Sequence, residues 1–120
     1  MSEPSSVNIE QVEGVTVVGF RDASILDVLT IQRIGTALFE VVEGGHKSVV
    51  LDLKHVRFLS SQALGVLLTL RKKADKAGCD VALAGIRPEL ARVFKITNLD
   101  ALFKFYPDRE AAVAAMAAEA

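Results

Sequence analysis

The sequence predicts an α/β protein with a mixed, mostly parallel sheet, and three observations lead to this fold class. Residues 48–53 and 80–84 are short apolar runs of the length and composition typical of buried central strands. Segments with helical spacing of apolar residues surround them. Strand–helix–strand units of this kind form right-handed crossovers between parallel strands. The predicted order of elements is β-β-α-β-α-β-α-β-α.

The first half of the chain is expected to hold a hairpin and one long helix. Residues 7–12 and 15–20 read as two strands, and the Glu-Gly pair between them suits a tight turn. Residues 21–24 are expected to form a loop. Apolar residues then recur at helical spacing over residues 27–43, and two glycines directly after them predict the end of that helix.

The second half is expected to hold three helices and two strands. A helix begins at Ser60 or Ser61, runs to about residue 77 and ends at a glycine. Pro88 suits the first position of a short third helix that ends near residue 95. Residues 102–106 are expected to be an edge strand, and residues 108–119 an Ala-rich helix capped by the aspartate that opens it.

Length and composition restrict the class of protein. The 120 residues, 51% of them hydrophobic, suit one domain over residues 7–120 after a disordered lead at residues 1–6. A net charge of -1 argues against a nucleic-acid-binding protein. No apolar run approaches the roughly 18 residues of a membrane helix, and the polar start does not resemble a signal peptide. A cytoplasmic protein is therefore expected, and the single Cys79 is interpreted as a small apolar residue.

The second helix has two sides of different character. On a helical wheel one broad side is apolar and is expected to pack on the sheet: Ala63, Leu64, Leu67, Leu68, Leu70 and Ala74. The opposite side is polar and is expected to face solvent or a partner: Gln62, Gly65, Thr69, Lys72, Lys73 and Lys76.

The start of this helix carries two unusual residue choices. Ser60 and Ser61 place hydroxyls where the first backbone N–H groups lack partners. Gly65 lies inside the helix, where Gly costs about 1 kcal/mol relative to Ala. On the exposed side it leaves room for the close approach of another molecule. The residues alone leave two interpretations open. Ser60 and Ser61 could only cap the helix while Gly65 relieves a packing clash, or the three residues could form a binding surface.

The same region resembles the signature of STAS domains, a family that includes bacterial anti-sigma factor antagonists. The usual signature is an apolar strand that ends in Asp-Leu, a short apolar bridge, and Asp-Ser-Ser-Gly-Leu-Gly at a helix start. Residues 49–53 and 56–65 are similar to it. Residues 85–90 and 94–103 resemble the third helix of the family and the stretch after it, so the resemblance covers residues 7–118.

The resemblance implies a function and a site. It implies a regulatory module that binds an anti-sigma factor with serine kinase activity, and it aligns Ser61 with the serine whose phosphorylation breaks that complex. The implied binding residues extend along the polar side of the second helix: Ser60, Ser61, Gln62, Gly65, Thr69, Lys72 and Lys76. No membrane insertion is implied.

Three positions depart from the family signature. Ser60 stands where Asp is usual, Gln62 stands where a second Ser is common, and Ala63 replaces a Gly. Ser60 is therefore a second candidate for phosphorylation. The departures also keep an alternative open, in which the chain is a scaffold subunit of a stress-signalling or lipid-transport assembly and is not phosphorylated.

The sequence favours a binding protein over an enzyme. His46 and His55 are the only histidines, and both lie near predicted turns. No Gly-x-Ser-x-Gly motif, P-loop or metal-binding Cys/His spacing is present, so no cofactor or metal is expected. Asp52 ends a central strand, which is a common catalytic position, but we interpret it as a structural residue that binds loop backbone.

Overall fold

The computed structural model describes residues 7–21, 24–25 and 27–119. The chain opens with the predicted hairpin of β1 (Val7–Val12) and β2 (Val15–Phe20). The two turn residues both have positive φ, 51° and 82°, as the tight turn of a hairpin requires. The predicted disordered lead, residues 1–6, lies outside the described residues.

The remaining elements alternate between strands and helices. They are β3 (Ser24–Ile25), α1 (Val28–Glu43), β4 (Ser48–Asp52), β5 (Phe58–Leu59), α2 (Ser61–Ala77), β6 (Asp80–Ala84), α3 (Pro88–Ile96), a 3₁₀ turn (Leu99–Ala101), β7 (Lys104–Tyr106) and α4 (Arg109–Glu119).

Five strands form one mixed sheet in the order β1-β2-β4-β6-β7. β1 is antiparallel to β2, and the pairs β2–β4, β4–β6 and β6–β7 are all parallel. Every residue of the central strand β4 is buried, because helices cover both faces of the sheet. The predicted fold class, an α/β domain with a mostly parallel sheet and an antiparallel edge, is confirmed.

The structure adds two short strands to the predicted order of elements. β3 and β5 pair in parallel as a separate two-stranded sheet, with Ser24 opposite Phe58 and Ile25 opposite Leu59. The predicted loop at residues 21–24 was therefore wrong at Ser24, which belongs to β3. Residues 22 and 23 of that loop lie outside the described residues. Strands of two residues carry no alternating pattern, so the sequence gives no signal for them.

The last predicted strand also proved shorter than expected. Only Lys104–Tyr106 pair with β6, and Leu99–Ala101 form a 3₁₀ turn before them. Phe103 is buried between these two elements, and Phe105 lies edge-on to Phe94 of α3 with ring centroids 5.8 Å apart. The apolar run 102–106 therefore serves partly as turn and partly as strand.

Helix ends follow the local signals in the sequence. Asp27 caps α1 by accepting a hydrogen bond from the Thr30 backbone N–H at 2.9 Å. Asp108 caps α4 in the same way, through the Ala111 N–H at 2.8 Å. Gly78, with φ 72°, ends α2 in the left-handed conformation that glycine adopts without strain.

Helices α1, α2 and α3 cover one face of the sheet, and α4 covers the other. The two faces have separate apolar cores, divided by the sheet. α1 and α2 lie side by side and approach closely at Gly35, where an added Cβ would be 3.4 Å from the Val66 side chain. Because each helix follows one strand of the parallel β3–β5 pair, the two helices begin at the same end of the molecule.

Candidate protein-binding site at the start of α2

Ser60 is the residue that caps α2. Its backbone is extended, with φ −76° and ψ 166°, and its Oγ accepts a hydrogen bond from the Ala63 N–H at 3.1 Å. Its own N–H donates to the Ile25 carbonyl at 3.1 Å, which joins the helix start to β3. The hydroxyl thus takes the capping role that the usual Asp of the signature would fill, without adding a negative charge.

Ser61 is the first residue of the helix and is exposed. Among the described residues, none forms a hydrogen bond with its hydroxyl. The first turn of α2 also contains no acidic side chain, so the partial positive charge of the helix N-terminus is not offset by a side-chain charge there. Ser60 and Ser61 are adjacent, but only the first of them is engaged within the fold.

The other sequence-predicted binding residues lie on the exposed outer side of α2. They are Gln62, Gly65, Thr69, Lys72 and Lys76. Apart from the backbone of α2 itself and the two neighbouring residues, no described atom lies within 4 Å of the Cβ position at Gly65, so the absence of a side chain there relieves no clash. The Thr69 hydroxyl donates a hydrogen bond to the Gly65 backbone carbonyl at 3.1 Å, so this side chain lies against its own helix.

Leu68 does not pack as the sequence analysis expected. It is 39% exposed and lies on the outer side of α2, between Gly65 and Lys72. The buried side of the helix is centred on Leu67 and Leu70, and a residue advances by about 100° on the wheel, so Leu68 lies at the margin of the apolar side. Its exposure adds an apolar group to the predicted polar surface.

Cations on α2 differ in how they are engaged. Lys73 lies 3.4 Å from a Glu43 carboxylate oxygen of α1 and 5.2 Å above the Phe39 ring. Arg71 pairs with Asp75 at 3.5 Å. In the part of the chain that the structure describes, no carboxylate pairs with Lys72 or Lys76. Lys73 therefore belongs to the contact between α1 and α2, and the positive charge left for a partner is that of Lys72 and Lys76.

Three large apolar side chains at the same end of the molecule as the start of α2 are exposed, and none of them was among the predicted binding residues. Val28 and Leu29, in the first turn of α1, are 54% and 53% exposed, and Phe58 of β5 is 54% exposed. The spacing of apolar residues had placed Val28 on the buried side of α1, and that prediction was wrong because this side is buried only from Ile31 onward. Leu29 lies on the opposite side of the helix, so its exposure could have been predicted. Phe58 had been interpreted as part of an apolar bridge, and its exposure depends on the unpredicted β3–β5 pair.

A second polar cluster lies on the other face of the sheet. Asp52, which is 6% exposed, accepts hydrogen bonds from the Lys54 backbone N–H at 3.2 Å and from Arg109 Nε at 2.9 Å. Arg109 also donates through Nη1 to Glu10. These hydrogen bonds to Glu10 and Asp52 raise the pKa of the Arg109 guanidinium. The backbone contact agrees with the structural role interpreted for Asp52, whereas its pairing with Arg109 was not foreseen.

Side chains that could serve as nucleophiles or metal ligands include the thiol of Cys79, the histidines and the carboxylates. Burial raises the pKa of the Cys79 thiol to about 11, so the reactive thiolate is scarce at neutral pH. His46 forms a hydrogen bond through Nδ1 with the Thr16 hydroxyl at 2.9 Å. Over these residues no three His, Cys, Asp or Glu side chains form a group that could hold a metal ion. No helix within the same ranges is long and apolar enough to span a membrane.

The mostly parallel five-stranded sheet with helices on both faces defines an α/β domain, and Ser61 lies exposed at the first position of α2. A model of the STAS domain matches residues 6–112, and the chain belongs to this family.

The chain is also similar in sequence to individual proteins of known name. A STAS-domain containing protein of Pseudomonas aeruginosa is 40% identical over 55 residues, which are 46% of this chain and 54% of that protein. The chain therefore spans about half the length of that relative. An anti-sigma F factor antagonist of Paenibacillus polymyxa is 28% identical over 102 residues, or 84% of this chain and 83% of that protein.

A solved structure is similar over nearly the whole chain. The crystal structure of an anti-sigma factor antagonist from Mycobacterium paratuberculosis is 29% identical, with a TM-score of 0.79. The match covers 96% of this chain and 97% of that one.

Proposed function

We propose that this chain is a regulatory protein that binds an anti-sigma factor with serine kinase activity, and that phosphorylation of Ser61 ends the binding. The observation that carries the proposal is the exposed, unengaged Ser61 hydroxyl at the first position of α2, directly after a separate cap. The names of the Paenibacillus and Mycobacterium relatives support an anti-sigma factor as the partner.

The geometry favours Ser61 over Ser60 as the phosphate acceptor. The Ser60 Oγ accepts the hydrogen bond that caps the helix, and its side chain is only half-exposed. Modification of Ser60 would replace this cap, whose loss costs about 1 kcal/mol in typical helices. Ser61 is exposed and can enter a kinase active site without breaking a hydrogen bond to any described residue.

A phosphate on Ser61 would act on the complex and not on the fold. It adds roughly 1.5 to 2 negative charges, and the adjacent helix N-terminus stabilises an anion by up to about 1 kcal/mol. The free chain therefore tolerates the group. Gly65 lies one turn further along the same side, and the open space above it allows a partner to approach the helix closely. A charged phosphate at the edge of that contact would hold the partner away and would require desolvation.

The proposal is tested with purified anti-sigma factor kinases from the source organism. Each kinase is incubated with the chain and ATP, and the phosphate is mapped by mass spectrometry. Affinity for the kinase is then measured for the unmodified chain and for Ser61→Ala and Ser61→Glu. We expect phosphate on Ser61, retained binding by Ser61→Ala, and about 100-fold weaker binding by Ser61→Glu, equivalent to roughly 2.7 kcal/mol. Ala91→Glu, which adds the same charge to exposed α3, is the matched control and should bind normally.

Each other outcome has a defined meaning. Phosphate on Ser60 would move the switch by one residue. A bound kinase that leaves both serines unmodified, together with full binding by Ser61→Glu, would contradict the switch and favour the scaffold alternative. Failure of every kinase to bind would contradict the partner class.

A further inference from the structure

The starts of α1 and α2 lie at nearly the same height along the two helices. The close contact between Gly35 and Val66 fixes their relative position. Val28 precedes Gly35 by seven residues and Ser61 precedes Val66 by five, which correspond to about 10.5 Å and 7.5 Å at 1.5 Å per residue. The two side-by-side helices therefore bring Val28 to within about 3 Å of the level of Ser61 along the helix axes.

Three exposed apolar side chains therefore lie at the same end of the molecule as Ser61. We call Val28, Leu29 and Phe58 the apolar shelf; each is more than half exposed. Phe58 precedes Ser61 by three residues and is exposed, whereas its neighbour Leu59 packs against the core. Together with Leu68, the shelf accounts for four of the six large hydrophobic side chains exposed among the described residues. Exposed apolar residues gathered at one end of a molecule mark binding surfaces more often than scattered ones.

The far end of the same helix is basic. Lys72 and Lys76 lie on the outer side of α2, about 16.5 Å and 22.5 Å from Ser61 along the helix axis at 1.5 Å per residue. Their charges are available because the described carboxylates nearby pair with Arg71 and Lys73 instead. The exposed Leu68 lies between the shelf and these lysines. The surface thus runs from an apolar end to a positively charged end.

We infer that the proposed anti-sigma factor presents an apolar contact to the shelf and acidic side chains to Lys72 and Lys76. The inference rests on the proposed function and adds the chemistry and orientation of the partner. Charge complementarity at one end and apolar burial at the other allow only one direction of the partner along α2. A phosphate on Ser61 then borders an apolar contact, where an unpaired charge is most unfavourable.

The test uses the purified anti-sigma factor that binds the unmodified chain. At the apolar end, Phe58→Ser and Val28→Ser should each weaken binding by about tenfold or more, mainly through faster dissociation. At the basic end, the double variant Lys72→Glu/Lys76→Glu should slow association about tenfold at low salt, and the difference should shrink at high salt. Ile96→Ser and Lys95→Glu, exposed on α3, are matched controls and should change binding less than about twofold.

The outcomes separate this inference from the proposed function. If Ser61→Glu weakens binding while the shelf and lysine variants do not, the switch stands and the docking surface is wrong. If the shelf and lysine variants weaken binding and Ser61→Glu does not, the surface stands and the switch is wrong. If no anti-sigma factor binds, both are wrong. Sedimentation of the chain alone supplies a further check: a dimer that Phe58→Ser disrupts would make a second copy the occupant and overturn the inference.

Discussion

α2 and α4 lie on opposite faces of the sheet and begin in different ways. Asp108 caps α4 with a carboxylate, and the next residue, Arg109, is held by Asp52 and Glu10. Ser60 caps α2 with a neutral hydroxyl, and the next residue, Ser61, forms no side-chain hydrogen bond with any described residue. The first position of α4 therefore fixes the helix to the sheet. The same position of α2 leaves its hydroxyl available to another molecule.

The largest expected effect on stability comes from Arg109→Met. The substitution leaves the buried Asp52 carboxylate with only the Lys54 N–H as a described partner. Removing one partner of a fully buried pair costs 3–5 kcal/mol, and because Arg109 is partly exposed we expect a loss of about 2–3 kcal/mol in the free energy of unfolding. Urea denaturation measures it. Arg71→Met, which breaks an exposed pair, is the control and should cost less than about 1 kcal/mol; equal losses would contradict the distinction.

A smaller loss is expected from Ser60→Ala. The substitution leaves the Ala63 N–H without its cap and should lower the free energy of unfolding by about 1 kcal/mol. Ser60→Asp gives α2 the carboxylate cap of α4 and should be at least as stable as the native chain. Thermal unfolding of the three proteins gives the ranking. An alanine variant as stable as the native chain would show that the Ser60 hydroxyl contributes little to the helix.

Substitutions of Ser61 should change stability least among the helix starts. Ser61→Ala should leave the free energy of unfolding within about 0.5 kcal/mol, because no described residue loses a hydrogen bond. Ser61→Glu should be equal or more stable by about 0.3–1 kcal/mol at low salt, because it places a carboxylate near the helix N-terminus. Both are measured in urea. A clear loss of stability in Ser61→Glu would mean that the negative charge disturbs the fold itself.

The carboxylate cap of α1 should respond to pH, unlike the hydroxyl cap of α2. Hydrogen bonds from Thr30 lower the pKa of Asp27 below its ordinary value of 3.8. The stabilisation is therefore complete above that value and is lost as the pH falls through the lower pKa of the folded chain. We expect Asp27→Asn to reduce this acid sensitivity slightly, as seen in denaturation curves between pH 6 and about pH 2.5. A stability difference between the two proteins that stays constant over this range would contradict the assignment.

Local signals made much of the fold predictable. The cap at Ser60, the glycine stop at Gly78 and the proline at the start of α3 each depend on neighbouring residues only. The central strands were recognisable because β4 is buried throughout and reads as a continuous apolar run. The position of Ser61 at the start of α2 was predictable because helix caps depend on neighbouring residues only.

Contacts between distant segments could not be predicted in this way. Arg109 pairs with residues 57 and 99 positions earlier in the chain, and no periodicity connects them. The apolar shelf depends on α1 lying beside α2 and on the β3–β5 pair, whose strands are too short to carry a pattern. The position of Leu68 was missed because the helical wheel gives a direction but not the width of the buried surface.

The exposure of the apolar shelf has a consequence for how such proteins diverge. Replacing Phe58, Val28 or Leu29 removes little buried contact, so the fold tolerates many residues at these positions. Under the proposed docking mode, one copy of a duplicated gene can therefore change its partner while both copies keep the same thermal stability. Where one genome encodes several similar chains, we expect their sequences to differ at the shelf more than at Asp52 or Arg109. Such differences would keep parallel signalling circuits from cross-reacting.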